Sequence, residues 1–346
     1  MKDDFYRFFV RICASVLVMI VSTSGLQAQM PVTPKSLLSN SPVSSEQSRW
    51  VGNTSGPFYT GTADVEPGGS FYIEPYYFDY RTRGSHTVNA PFKLAYGLGH
   101  KFEFDLYAPL VFVRNANPDQ DVSGTNHASA TGYGDTIAQV KWQFMKERDR
   151  LHLWRKPSLG LLFAVNIPTG RYQGLQQNLF GSDQQGTGEW NEQFGVMLRK
   201  QFKPFELYLQ DTDLIEDPVN VVGPYSLDNG LGQVPPGEKF RVVDGDQFSS
   251  SAALEHVVIP KYGLGYLLEY LGEWQTSRSL IFGHATTPSY SYLNLMPELE
   301  VTWPHKGKFS MTWGAGASFT VMRKNYPAQF TPMFTVSILA DLHGSR

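Results

Sequence analysis

The chain has 346 residues and a formal net charge of −3, with 29 Lys and Arg against 32 Asp and Glu. That balance supplies no basic field, so nucleic acid is excluded as a partner. Aromatic residues make up 14% of the chain and charged residues only 18%, with 32 glycines, a mixture that suits repeated strands and turns better than helices.

Residues 1–28 read as a signal peptide. Lys2, Arg7 and Arg11 precede an apolar run from Ile12 to Val21, and Leu26-Gln27-Ala28 forms a cleavage box. The run is about half of the roughly 20 apolar residues that a transmembrane helix needs. The single cysteine, Cys13, falls inside this leader, so the mature chain is expected to hold together without a disulfide. Residues 29–69 are rich in Ser, Pro, Thr and Gly and lack an apolar period. They are expected to form a disordered periplasmic segment.

From Ser70 onward the period is two. Phe102, Phe104 and Leu106 alternate with Glu103, Asp105 and Tyr107; Ala138, Val140, Trp142 and Phe144 alternate with Gln139, Lys141 and Gln143. The pattern predicts about twelve strands, near 70–81, 90–98, 101–112, 134–145, 157–168, 190–202, 204–213, 246–259, 262–275, 289–303, 308–320 and 329–342. Their connections alternate between short turns, near 99, 203, 260 and 305, and long polar loops at 113–133, 169–189, 214–245, 276–288 and 321–328. Short periplasmic turns, long external loops and an even strand number characterise outer-membrane barrels. Residues 70–346 are therefore predicted to form an all-β, closed antiparallel transmembrane β-barrel in the bacterial outer membrane. Its expected partners are membrane lipid, lipopolysaccharide and the outer-membrane assembly machinery. An exported soluble sandwich or propeller is the competing reading, but the repeat of about 40–50 residues that marks a propeller is missing. Phe144, Phe202, Tyr262, Trp303 and Phe309 at one end, and Trp274, Tyr290 and Tyr292 at the other, are expected to form the interfacial girdles.

Two segments carry a family resemblance. Gly132-Tyr133-Gly134-Asp135-Thr136 is followed by Lys141. The strand LLFAVNIPTG ends in Pro168-Thr169-Gly170, with Gly186 and Gly188 before the next strand. Together they resemble the outer-membrane proteins called the "MetA pathway of phenol degradation" family. The resemblance implies a transporter associated with aromatic-compound catabolism, with aromatic or hydrophobic compounds among its solutes.

Enzyme signatures are missing. None of the eight histidines stands at metal-ligand spacing, and neither a nucleophile elbow nor a P-loop occurs. No cofactor, metal or catalytic residue is expected. Ser249-Ser250-Ser251 close to Glu255-His256 is the one combination worth a geometric test. The chemistry left is charge on the face opposite the aromatics. By strand parity that face carries Glu74, Lys93, Glu103, Asp105, Asp135, Lys141, Arg199, Glu206, Glu255, Glu269, Glu273, Glu298 and Glu300. Charges facing lipid are costly, so these side chains are predicted to line an acid-rich lumen. The expected function is passive diffusion of small solutes through that lumen. The alternatives are a structural or adhesion barrel with a plugged lumen, and an outer-membrane hydrolase.

Overall fold

The computed structural model describes residues 57–82, 85–116, 127–147, 156–179, 182–202, 204–223, 225–226, 233–234, 237–243, 245–259, 263–276, 279–280, 289–302 and 309–341. The expected leader, and residues 29–56 of the segment after it, lie outside these.

Twelve strands close on themselves. They are β1 (Ser70–Thr82), β2 (Ser85–Gly97), β3 (Phe102–Ala116), β4 in two pieces (His127–Tyr133 and Thr136–Met145), β5 (Ser158–Ile167) and β6 (Asn191–Phe202). The second half comprises β7 (Phe205–Glu216), β8 (Gln247–Ile259), β9 (Leu264–Gln275), β10 (Tyr290–Thr302), β11 (Phe309–Lys324) and β12 (Phe330–Asp341). Each pairs antiparallel with its neighbours in sequence, and β1 closes the ring on β12, with Ser70 opposite Asp341 and Tyr77 opposite Phe334. Closure satisfies the backbone of every strand without an exposed edge, which is what lets a sheet cross lipid.

Three connections are more structured than the sequence suggested. The expected loop at 113–133 begins and ends as a continued hairpin, with Ala116 opposite His127. The small residues of HASATGY offered no apolar period to announce it. In the other two, at 214–245 and 276–288, Val219–Val222, Lys239–Val243 and Ser279–Leu280 form a separate three-stranded sheet.

The two faces of the barrel invert the soluble pattern. Outward-pointing Phe104, Val140, Trp142, Phe163, Leu268 and Trp313 are all exposed, whereas their sequence neighbours Glu103, Lys141, Leu162 and Glu269 are buried. Rings pair across strands on the outer wall, Phe102 with Trp142 and Phe163 with Phe194. An apolar wall of this extent is a liability in water and a match for acyl chains. Among the described residues no helix is long and apolar enough to cross a membrane; the chain crosses with strands. Phe163 lies mid-strand on that wall. Phe163→Lys is expected to cost about 2–4 kcal/mol, read as a lower urea midpoint and a smaller heat-modifiable fraction in refolding, whereas Phe163→Leu should be near neutral.

Residues 57–69 do not lie outside the barrel. From Ser70 this segment runs back into the interior, where Phe58, Thr60 and Ala63 are buried. Gly97 lets it pass: a Cβ there would lie 2.1 Å from the Pro67 carbonyl oxygen.

Candidate functional site

The interior face gathers the charged residues into two dissimilar walls. On the first, spanning β2 to β6, acids meet bases. Lys141 Nζ lies 2.5 Å from Glu103 Oε1 and 4.0 Å from Asp105 Oδ2. These are the partners that parity suggested, because β3 and β4 bring Glu103 directly opposite Lys141. Lys93 lies over the rings of Tyr72 and Tyr107, 5.4 and 5.6 Å from their centroids, in cation–π geometry. Arg199 at the foot of β6 pairs with Glu206 of β7 and with Asp64 of the inserted segment.

The second wall, β8 to β10, contains no Lys or Arg. It carries Glu255, Glu269, Glu298 and Glu300, all buried, and Glu273. Neutral donors stand where bases would. The Tyr208 hydroxyl donates to Glu255 Oε2 at 2.9 Å. Tyr290 and Tyr292 donate to the two oxygens of Glu273 at 2.9 and 2.7 Å. These two tyrosines therefore point inward, which corrects their assignment to the outer girdle. Their partner lies on the enclosed face, and a carboxylate in lipid has no such donor. Of the other expected girdle positions, Tyr262 and Trp303 fall outside the described residues, as does the side chain of Phe309.

The inserted segment joins the two walls. The Glu66 amide donates to Glu103 at 2.6 Å, and the Asp64 carboxylate accepts from Gln143 and Arg199. The Gly61 amide donates to Gln210 at 2.6 Å. The Tyr59 amide lies 3.2 Å from both Glu269 oxygens, and the amide and hydroxyl of Thr60 also donate to Glu269. Glu298 lies against Glu269 and the Phe58 amide. The segment thus climbs from the turn end near Glu103 to the middle of the barrel. It is held mostly by side chains of the barrel gripping its backbone.

At its upper end stands a feature that parity alone did not suggest. On β1 the inward residues Tyr76, Phe78 and Tyr80 stack as a ladder, with interplanar angles of 12° and 23° between successive rings. Phe58 and Tyr59 pack on this ladder, and Met296 and Met333 complete an apolar cluster. The signal in the sequence is the run Tyr76-Tyr77-Phe78, where aromatics occupy both faces of one strand and the alternation disappears.

Asp135 does different work from the other expected site residues. Between the two pieces of β4 the register slips by one residue, from Leu110 opposite Tyr133 to Tyr107 opposite Ile137. Such a bulge re-aims a side chain. Asp135 Oδ1 accepts the Gly170 amide at 2.9 Å, and Oδ2 accepts the Thr187 amide and hydroxyl at 2.8 and 3.0 Å. Thr169 Oγ1 donates to the Gly134 carbonyl at 3.0 Å and accepts the Thr136 amide at the same distance. The two short motifs of the sequence are one clasp that ties both ends of the 168–189 connection to the barrel rim. A Cβ on Gly186 would lie 2.5 Å from Asp135 Oδ1 and 2.8 Å from Gly170 backbone, so glycine is required where the two ends cross. Asp135→Ala should loosen the clasp by on the order of 2 kcal/mol, from charge-assisted bonds. Limited proteolysis of the folded barrel should then cut within 168–189 roughly tenfold faster or more.

The serine and histidine combination does not assemble. Ser251 and Glu255 are buried inside, while His256 lies on the opposite face against Phe205 and the Tyr266 hydroxyl, 2.9 Å from its Nδ1. Among the described residues no group of three or more His, Cys, Asp or Glu is placed to hold a metal ion.

No family model matches the chain, and no curated protein does. Solved structures do. The chain is similar to the COG4313 outer membrane channel from Pseudomonas putida F1, with 13% identity and a TM-score of 0.60 over 81% of this chain and 98% of that one. Lesser likenesses reach NanC porin, with 7% identity and a TM-score of 0.41 over 78% and 100%, and a mutant of the TodX monoaromatic hydrocarbon channel, with 9% and 0.41 over 80% and 91%. At these identities the likeness is one of fold, the membrane β-barrel.

Proposed function

We propose that this chain is a passive channel of the bacterial outer membrane for small solutes, and that it is not an enzyme. The observation that carries the reading is the composition of the interior. In a barrel built only as a structural element the side chains of its own strands can fill the middle, as they do in small barrels. This one keeps buried carboxylates there and covers them with a segment that belongs to no strand. Rows of fixed charge of one sign bias which ions enter a pore, and with Asp135 set aside at the mouth, nine of the twelve interior charges assigned from parity are acidic. In this reading Glu103, Asp105, Lys141, Arg199, Glu206, Glu269, Glu273, Glu298 and Glu300 line the path, and Asp135 fixes the loop at its mouth. The motifs around Asp135 and Gly170 support placing the chain with the "MetA pathway of phenol degradation" barrels, and so aromatic or hydrophobic compounds among its solutes.

The test is conductance in planar bilayers. The purified protein should give cation-selective steps, and Glu298→Gln with Glu300→Gln should reduce the cation preference by about twofold or more. Anion preference in the parent protein would sink the reading. The occupied interior also favours a plugged structural barrel. That reading gains if no steps occur either in the parent or in a chain lacking residues 57–66.

A further inference from the structure

The upper end of the inserted segment is seated as a ligand would be. The ring of Tyr59 stacks on Phe78, with centroids 5.7 Å apart and planes at 28°, while the amide nitrogen of the same residue lies 3.2 Å from both oxygens of Glu269. Between ring and nitrogen stand Cβ and Cα. An aromatic ring, two carbons and a nitrogen is the skeleton of a 2-arylethylamine. The site therefore already spans the distance from a stacking surface to a carboxylate that this skeleton bridges.

The surroundings favour the charged form of such a molecule. Glu269 and Glu298 are adjacent and buried, and the strands β8 to β10 around them contain no Lys or Arg. With the segment in place, consecutive backbone amides from Phe58 to Thr60 and the Thr60 hydroxyl face these carboxylates. Once the segment withdraws, two neighbouring acids lose their donors. A neutral ring does not replace them, and an aromatic acid adds repulsion. A protonated amine brings three donors and a positive charge, and the tyrosine rings nearby attract a cation through their faces. Tyr76, Phe78 and Tyr80 form the stacking surface, with nearly parallel planes.

We propose that Phe78, Tyr76, Glu269 and Glu298 form a binding site for protonated 2-arylethylamines, in which Phe58 to Thr60 sit as a built-in competitor. The channel reading enters only as the route by which such a solute arrives. The site is tested by binding and the channel by conductance, so either can fail alone.

The experiment is calorimetric titration of the full chain, folded in detergent, with phenethylamine, phenylacetate and butylamine. Phenethylamine should bind more tightly than either of the others by about tenfold or more. Excision of residues 57–66 lies outside the strands and removes the rings and the amide donors of the competitor together. The shortened chain should bind phenethylamine about tenfold more tightly. On that background Glu269→Gln and Phe78→Leu should each undo the gain, and Phe78→Leu decides alone if the glutamine variant fails to fold. Equal binding of phenylacetate, or no gain on excising the segment, would overturn the proposal.

Discussion

Excising residues 57–66 is expected to raise single-channel conductance several-fold while the barrel still assembles. The segment contributes no strand, and it is covalently tied to the sheet only through the residues leading to Ser70. Its removal breaks no rung of the ladder between β1 and β12 or between β1 and β2. What it leaves behind is a set of side chains that had held it: Glu103, Gln210 and Glu269 by its backbone amides, and Gln143 and Arg199 by the Asp64 carboxylate. In a dry core these would be costly orphans. In a barrel open to water they hydrate, and the emptied interior becomes path for ions. Planar-bilayer recordings and the heat-modifiable band shift, measured on one preparation, check both halves of the expectation. Unchanged conductance with an intact barrel would mean that the constriction lies elsewhere, with the 168–189 connection the next place to look.

Arg199→Leu is expected to destabilise the barrel by about 3–5 kcal/mol, the usual consequence of removing one partner from a buried ion pair. Arg199 is buried and serves two acids at once, Glu206 on the adjacent strand and Asp64 on the inserted segment. Among the described residues, β7 to β10 carry no Lys or Arg, so the acids of that wall have no such partner of their own. Without it Glu206 stands directly opposite Glu255 across β7 and β8, with the neutral Tyr208 hydroxyl in place of a cation to offset the repulsion. Urea unfolding in detergent should show the midpoint fall. Adding Glu206→Leu should restore much of the loss, since a buried pair replaced on both sides by apolar groups is often neutral. If the single variant were as stable as the parent, water would have to reach Arg199 freely, and the segment would not seal this end of the interior.

The strands and their parity were legible in the residues themselves. A sheet that crosses lipid must turn apolar side chains outward and keep charge inside, so Phe104 against Asp105 and Trp142 against Lys141 announce both the strand and its two faces. The pairing of Lys141 with Glu103 follows from the same alternation, because consecutive strands of an up-and-down barrel meet in register. Three features were decided only by the folded chain. Tyr76, Phe78 and Tyr80 share the inward parity of Glu74, but nothing local foretold that Phe58 and Tyr59 would cover them. Asp135 leaves the row of Lys141 because a one-residue slip between the two pieces of β4 re-aims it, and a bulge shifts register without changing composition. The seating of residues 57–66 was invisible for a deeper reason. Glu269 lies 210 residues from Tyr59 and grips a backbone amide, a group that every residue but proline carries. Periodicity records which face a side chain needs; it holds no record of which distant carboxylate will bind a peptide group, and only closure of the barrel brings the two together.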